Sequence, residues 1–213
     1  MKSARPSAKR PQTAGRKGTG SARRDQIATV ASGLFARNGF AGTSIRDIAA
    51  AAGLTKPALY YHFSDKEALY EHVVAERMTG LISVVTEAVE QTDDPVERIR
   101  CYIRAHSTRM DTDRDIWLVT KQSFQSLEDA ERRQRITALR DRFEHLLRDL
   151  ISEAMDQGAL ERADPVLVAR LLLSSVNDIP RWLKPGGDLL AQQVALTYSD
   201  IALRGLGAQL PLN

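Results

Sequence analysis

The chain has little of what catalysis or covalent cross-linking requires. One cysteine, Cys101, stands among 213 residues, which excludes an internal disulfide framework and leaves it a small packed residue. The four histidines, His62, His72, His106 and His145, fall at no metal-ligand spacing. No Gly-rich phosphate loop or nucleophile elbow occurs, so nothing argues for an enzyme, and no cofactor or metal is expected. No apolar run approaches the roughly 18 residues that cross a bilayer, and the N-terminus lacks the hydrophobic core of a secretory signal. The expectation is a cytoplasmic protein with no membrane partner. Strand-period alternation is missing too, which leaves helical periodicity as the dominant pattern and points to an all-α fold. A chain of 213 residues can bury a sizeable core, as one large domain or as a small domain plus a larger one.

What is present is concentrated in residues 39–69, GFAGTSIRDIAAAAGLTKPALYYHFSDKEAL. Ser44, after Thr43, is a good N-cap, and Ile45, Ile48 and Ala49 follow at helical spacing on one face. Gly53 closes that helix, because so sharp a turn needs a residue tolerant of positive φ. Thr55 caps the next helix, with Lys56 and Pro57 in its first turn, where a missing N–H costs nothing. Leu59 and Phe63 point inward, leaving Lys56, Ala58, Tyr60, Tyr61 and His62 mostly outward. Two short helices joined by a Gly-containing turn, the second presenting small, basic and aromatic side chains, form a helix-turn-helix suited to the DNA major groove.

With the preceding helix, ARRDQIATVASGLFARNGF, and with Lys66-Glu67-Ala68-Leu69 after it, this run resembles the DNA-binding domain of the tetracycline-repressor (TetR) family of one-component transcription regulators. The resemblance covers residues 23–70. It implies a three-helix N-terminal DNA-binding domain there and a helical effector-binding and dimerisation domain over 71–213. It also implies a homodimer on a palindromic double-stranded operator, acting as a repressor. Residue chemistry suggests the contacts. Lys56 can donate to guanine O6 and N7, and Pro57 and Ala58 suit thymine methyls. Arg46 can meet a base or a phosphate. Thr43, Ser44, Thr55, Tyr60, Tyr61, His62 and Lys66 read as phosphate donors that fix register. Tyr60 has a second reading, partial burial against the first helix. Ala58 departs from the family, which often has a polar residue there.

The formal charge of +3 hides an asymmetry, because residues 1–22 carry six basic side chains and no acidic one, and subtracting +6 leaves −3 for the rest. This Ser-, Ala-, Gly- and Pro-containing stretch has no hydrophobic periodicity and is expected to be disordered alone. It reads either as a solubilising tail or as a basic arm adding phosphate or minor-groove contacts.

Beyond Leu69 the pattern stays helical almost to the end. Helices are predicted at about 65–91, 95–110, 114–127, 130–157, 165–183 and 188–206, with Gly158 fitting a C-terminal cap. The last two are apolar over more than one face, which fits either a dimer interface or a central place in a monomer. Trp117, Phe124, Phe143 and Leu147 could line an effector cavity or fill a core. Residues 172–187, LLSSVNDIPRWLKPGG, resemble the penultimate helix of TetR-type regulators that sense acyl-CoA thioesters. Asn177 could bond a carbonyl and Arg181 a phosphate, or they could be a helix-capping Asn and a solvated basic C-terminus. The effector expected is an acyl-CoA thioester. A drug-like or aromatic compound is the alternative, and a helical protein-interaction module without DNA binding is the reading from another class.

Overall fold

The computed structural model describes residues 18–112, 117, 124, 127–184 and 186–210. Among them the chain forms eight α-helices and no strand. These are α1 (Gly18–Asn38), α2 (Ile45–Ala51), α3 (Lys56–His62), α4 (Lys66–Val89), α5 (Pro95–Thr112), α6 (Ala130–Asp156), α7 (Pro165–Trp182) and α8 (Ala191–Gly205). None of them is long and apolar enough to cross a membrane. Of the helix predicted at 114–127, only Trp117, Phe124 and Leu127 lie within the described residues.

Local chemistry sets most helix ends. Ser44 and Asp47 exchange bonds in a capping box at α2, satisfying two otherwise orphaned donors. Thr55, Asp65, Asp129 and Asp164 accept from backbone N–H groups at the starts of α3, α4, α6 and α7. Gly53, at φ 64°, turns the chain between α2 and α3, a conformation that side chains with a Cβ resist. The last helix starts three residues later than its pattern suggests, at Ala191, because the Leu190 N–H is taken by the Gln193 side chain at 2.9 Å.

Two apolar cores share one spine. In the N-terminal core, Ile27, Phe35, Ile48, Leu59 and Phe63 close around Leu69, Tyr70, Val73 and Val74 of α4. In the larger core, Leu81, Ile82, Val85 and Val89 of the same helix pack with α5 to α8. Met78 touches both. Leu127 and Ile136, which lie in the C-terminal half of the sequence, are buried in the N-terminal core. The outer faces of α7 and α8 remain apolar and uncovered, with Leu171 57% and Ile201 66% exposed beside Leu167 and Tyr198.

Ionic contacts fasten α6 to the start of α4. Arg132 Nη1 and Nη2 donate to Asp65 Oδ1 and Oδ2 at 2.6 and 2.8 Å. Arg135 makes a second forked contact with Glu71. Glu67 accepts from the backbone N–H groups of Glu128 and Asp129 at 3.1 and 3.3 Å. The hydrogen bond from Arg132 pulls the Asp65 carboxyl down from 3.8 to about 2. With the folded value below the unfolded one, the stabilisation is complete above about pH 4 and fades as pH falls toward 2. Asp65 is 46% exposed, so solvent screening keeps its energetic share small. Arg132→Gln should return the Asp65 titration toward 3.8, read by carboxyl NMR shifts. A midpoint that stays near 2 would assign the depression to Ala68 N–H and Ser64 instead.

Candidate functional site

The first part of the site is a surface built by α2 and α3. Burying Leu59 and Phe63 beneath α3 turns Thr55, Lys56, Pro57, Tyr60 and Tyr61 outward, and all five are exposed. Tyr61 is 87% exposed and Tyr60 43%, so Tyr60 is only half sheltered. Lys56 Nζ lies 5.7 Å above the Tyr60 ring. Ala58 and His62 are half-buried, and Ser44 and Arg46 are exposed at α2.

Two residues expected to meet phosphate are turned to structural work. Thr43 is fully buried and donates to the Gly39 carbonyl at 2.8 Å and the Leu34 carbonyl at 3.3 Å. Its hydroxyl therefore braces the turn before α2 and does not reach the surface. Lys66 Nζ donates to the Phe40 and Thr43 carbonyls at 2.8 and 3.1 Å and covers the Phe40 ring at 4.3 Å. Two of its three donors are spent inside the domain. Sequence reasoning also missed two fasteners on α1. Arg23 donates to the Ala52 carbonyl at 3.3 Å, and Arg24 donates to the His62 carbonyl while lying 4.3 Å over the Phe63 ring. Each cation meets the negative end of a short helix.

The second part is a cavity of about 320 Å³ bounded by α4, α6 and α7. Val74, Met78, Leu81, Phe143, Leu173 and Trp117 form its apolar wall, and Arg140, Glu144, Arg170, Ser174 and Asn177 its polar one. Three of the expected residues, Trp117, Phe143 and Asn177, thus come together on the wall. The other three do not. Leu147 is fully buried one turn along α6. Phe124 packs against the N-terminal core. Arg181 is exposed near the end of α7.

Behind the wall lies His106, which the sequence reading passed over. Its Nε2 is 2.8 Å from Asn177 Oδ1, and its ring sits 5.4 Å from Trp117 and 4.9 Å from Phe143. Trp117 Nε1 donates to the Asn177 carbonyl at 3.4 Å. His106 Nδ1 is buried without a hydrogen-bond partner. Burial pushes the imidazole down to about 4, so it is neutral at physiological pH. The signal was available: His106 falls on the buried stripe Ile99, Ile103, Met110, and Arg140 on the stripe Ile136, Phe143, Leu147.

Unfolded, a histidine near 6.5 takes up a proton that folded His106 refuses until about 4. Stability is thus complete above pH 6.5 and declines as pH falls toward 4, by up to about 3 kcal/mol. His106→Gln should flatten this part of a urea-unfolding profile against pH. An unchanged slope would place the titration on another histidine.

Known proteins resemble the chain over both its N-terminal and its C-terminal helices. Residues 27–73 match the family described as "Bacterial regulatory proteins, tetR family", and residues 92–206 match "Tetracyclin repressor-like, C-terminal domain". The "HTH-type transcriptional repressor KstR2" of Mycobacterium tuberculosis (strain ATCC 25618 / H37Rv) is 27% identical over 194 residues, covering 86% of this chain and 92% of that protein. The TetR family transcriptional regulator PfmR from Thermus thermophilus superposes with a TM-score of 0.77 at 35% identity, covering 84% of this chain and 98% of PfmR. AibR, solved in complex with isovaleryl coenzyme A and operator DNA, gives a TM-score of 0.72 at 30% identity over 84% of this chain and 96% of AibR. A helix-turn-helix followed by a helical domain holding a cavity, matched along nearly all of its described length, places the chain in the tetR family of bacterial transcriptional regulators.

Proposed function

We propose that this regulator is a homodimeric repressor that binds a palindromic operator and releases it when an acyl-CoA thioester enters the cavity. The observation that carries the reading is the double role of α6. Phe143 and Arg140 of this helix line the cavity, and Arg132 and Arg135 grip Asp65 and Glu71 at the start of α4, just past the reading helix α3. A ligand that favours one placement of α6 therefore favours one placement of α3. It weakens DNA binding by its differential affinity for the two states.

Dimerisation is supported by the uncovered apolar faces of α7 and α8, where Leu167, Leu171, Tyr198 and Ile201 stand exposed on adjacent helices. Two copies also supply the two half-sites that specific readout by such short helices requires. The thioester is supported by the apolar wall and by the likeness to AibR, which was solved with isovaleryl coenzyme A. At about 320 Å³ the cavity is at the small end of ligand sites. It has room for an acyl group, with the remainder of the thioester leaving past the polar side formed by Arg140, Glu144 and Arg170.

On the reading face, Lys56 is assigned to a base edge, Pro57 and Ala58 to thymine methyls, and Ser44, Arg46, Thr55, Tyr60, Tyr61 and His62 to the backbone on either side. Lys56→Ala should cost about 1–3 kcal/mol and relax preference at one position per half-site. A uniform loss across a randomised operator library would make Lys56 a positioning residue. With roughly four phosphate contacts per subunit, log K against log salt should fall with a slope of about −7. A slope shallower than about −2 would remove these residues from the phosphates. Deleting residues 1–20 should weaken binding and flatten the slope, and unchanged affinity would make that segment a solubilising tail. Calorimetric titration with acyl-CoAs, their free acids and CoA tests the effector. Operator release by a free aromatic or cationic compound, with no thioester binding, would sink the thioester reading and leave the repressor reading standing.

A further inference from the structure

Two arginines line this cavity, Arg140 and Arg170, and only Arg170 meets a carboxylate. Glu144, the sole carboxylate on the described wall, stands four residues from Arg140 and four from Arg148, and it pairs with Arg148 and with Arg170 at 3.5 Å. That choice follows helix geometry, since an acidic residue preceding a basic one by four is the better-oriented pair. Arg140 is left with no ion pair among the described residues. It lies on the buried stripe of α6, half-buried, with its guanidinium 4.0 Å over the Phe124 ring. A ring face offsets part of the cost of desolvating a cation and supplies no acceptor for its five N–H donors. Burial holds the group below its ordinary value, yet an arginine stays protonated. The result is a positive charge on the polar side of a largely apolar cavity, beside the one carboxylate of its described lining, which is already shared between two other guanidinium groups.

We infer that Arg140 is the receptor for an anionic oxygen group on the effector, a carboxylate or a phosphate, seated in the α4–α6–α7 cavity with its apolar body against Trp117 and Phe143. The inference rests on reading this cavity as the effector site. An anion arriving on an apolar carrier completes the ion pair that the fold leaves open, and the forked geometry of guanidinium accepts a carboxylate or phosphate in two parallel hydrogen bonds. The same residue couples recognition to output. It sits two turns along α6 from Arg132, which holds Asp65, so a pull on the guanidinium acts on the helix that fastens the reading head. A neutral body of the same shape fills the apolar part of the cavity and lacks this handle.

Two fluorescent probes with one ring system test this on the full-length protein. 1-Anilinonaphthalene-8-sulfonate carries a sulfonate, and N-phenyl-1-naphthylamine is its uncharged analogue. Binding is read by probe emission and by energy transfer from Trp117, with Trp117→Phe as the control for location. The wild type should bind the sulfonate at least about tenfold more tightly than the neutral probe, as one charge-assisted hydrogen-bonded pair provides. Arg140→Gln should abolish that preference and leave neutral-probe affinity unchanged, which also reports an intact cavity. Arg140→Lys, which keeps the charge without the fork, should retain part of the preference. Competition by octanoate, octanoyl-CoA and free CoA identifies the source of the anion. A loss on Arg140→Gln confined to octanoate marks a carboxylate, and one that includes octanoyl-CoA marks a phosphate. Equal sulfonate affinity in wild type and Arg140→Gln, with both probes bound at Trp117, overturns the role of Arg140 alone. If no probe or thioester binds near Trp117, the effector-site reading falls as well.

Discussion

The forked ion pair between Arg132 and Asp65 joins two units that also share a continuous helix, α4, and the side chains of Leu127 and Ile136. Asp65 is doubly committed, capping α4 through Ala68 N–H and accepting from both terminal nitrogens of the Arg132 guanidinium. The side chain that starts the long helix is therefore also the point at which the ligand-binding half holds the reading half. Glu67 and Glu71 extend the contact along the next turn of α4, to the N–H groups that open α6 and to Arg135. Several weak, partly exposed charges acting at one joint define a geometry better than they add stability.

The cavity follows an opposite logic. Its wall is apolar, but the groups behind it are polar and incompletely satisfied. His106 is tied to Asn177 through one nitrogen and unpartnered at the other. Arg140 rests on an aromatic ring. In a packed interior such groups cost free energy unless something completes them. Their retention at one place, next to open volume, separates this region from the core a turn away, where Leu147, Leu150 and Ile151 are buried within the apolar cluster.

The fold was legible in the sequence wherever its determinants are local. The caps at Ser44 and Thr55, the positive-φ glycines at 53 and 158, and the Asp164-Pro165 start all depend on residues within a few positions, and each appears where its chemistry predicts. The site was less legible because its parts are paired across the chain. Nothing near Lys66 announces that the carbonyls of Phe40 and Thr43 will take its ammonium, or that Thr43 will be turned inward. Leu147 and Phe143 look alike as apolar residues on one helical stripe, and only the packing of α4 and α7 decides that Phe143 borders open space. Polar residues on buried stripes, His106 and Arg140, were the overlooked signal. They read as interruptions in an apolar pattern, and the interruptions lie at the cavity.

Leu127 and Ile136 carry a consequence for how such proteins can be recombined. Both belong to the core under the helix-turn-helix, although they follow it at a long remove in the chain. A chimera made by cutting within α4 would take the reading head of one regulator and leave behind two side chains that fill its interior, together with Arg132. The exposed surface of α2 and α3 could be transplanted whole and still sit on a depleted base. With α3 as the proposed reading helix, replacing its outward residues disturbs this core less than swapping the domain does. Where whole heads are exchanged, the opening turns of α6 have to travel with them.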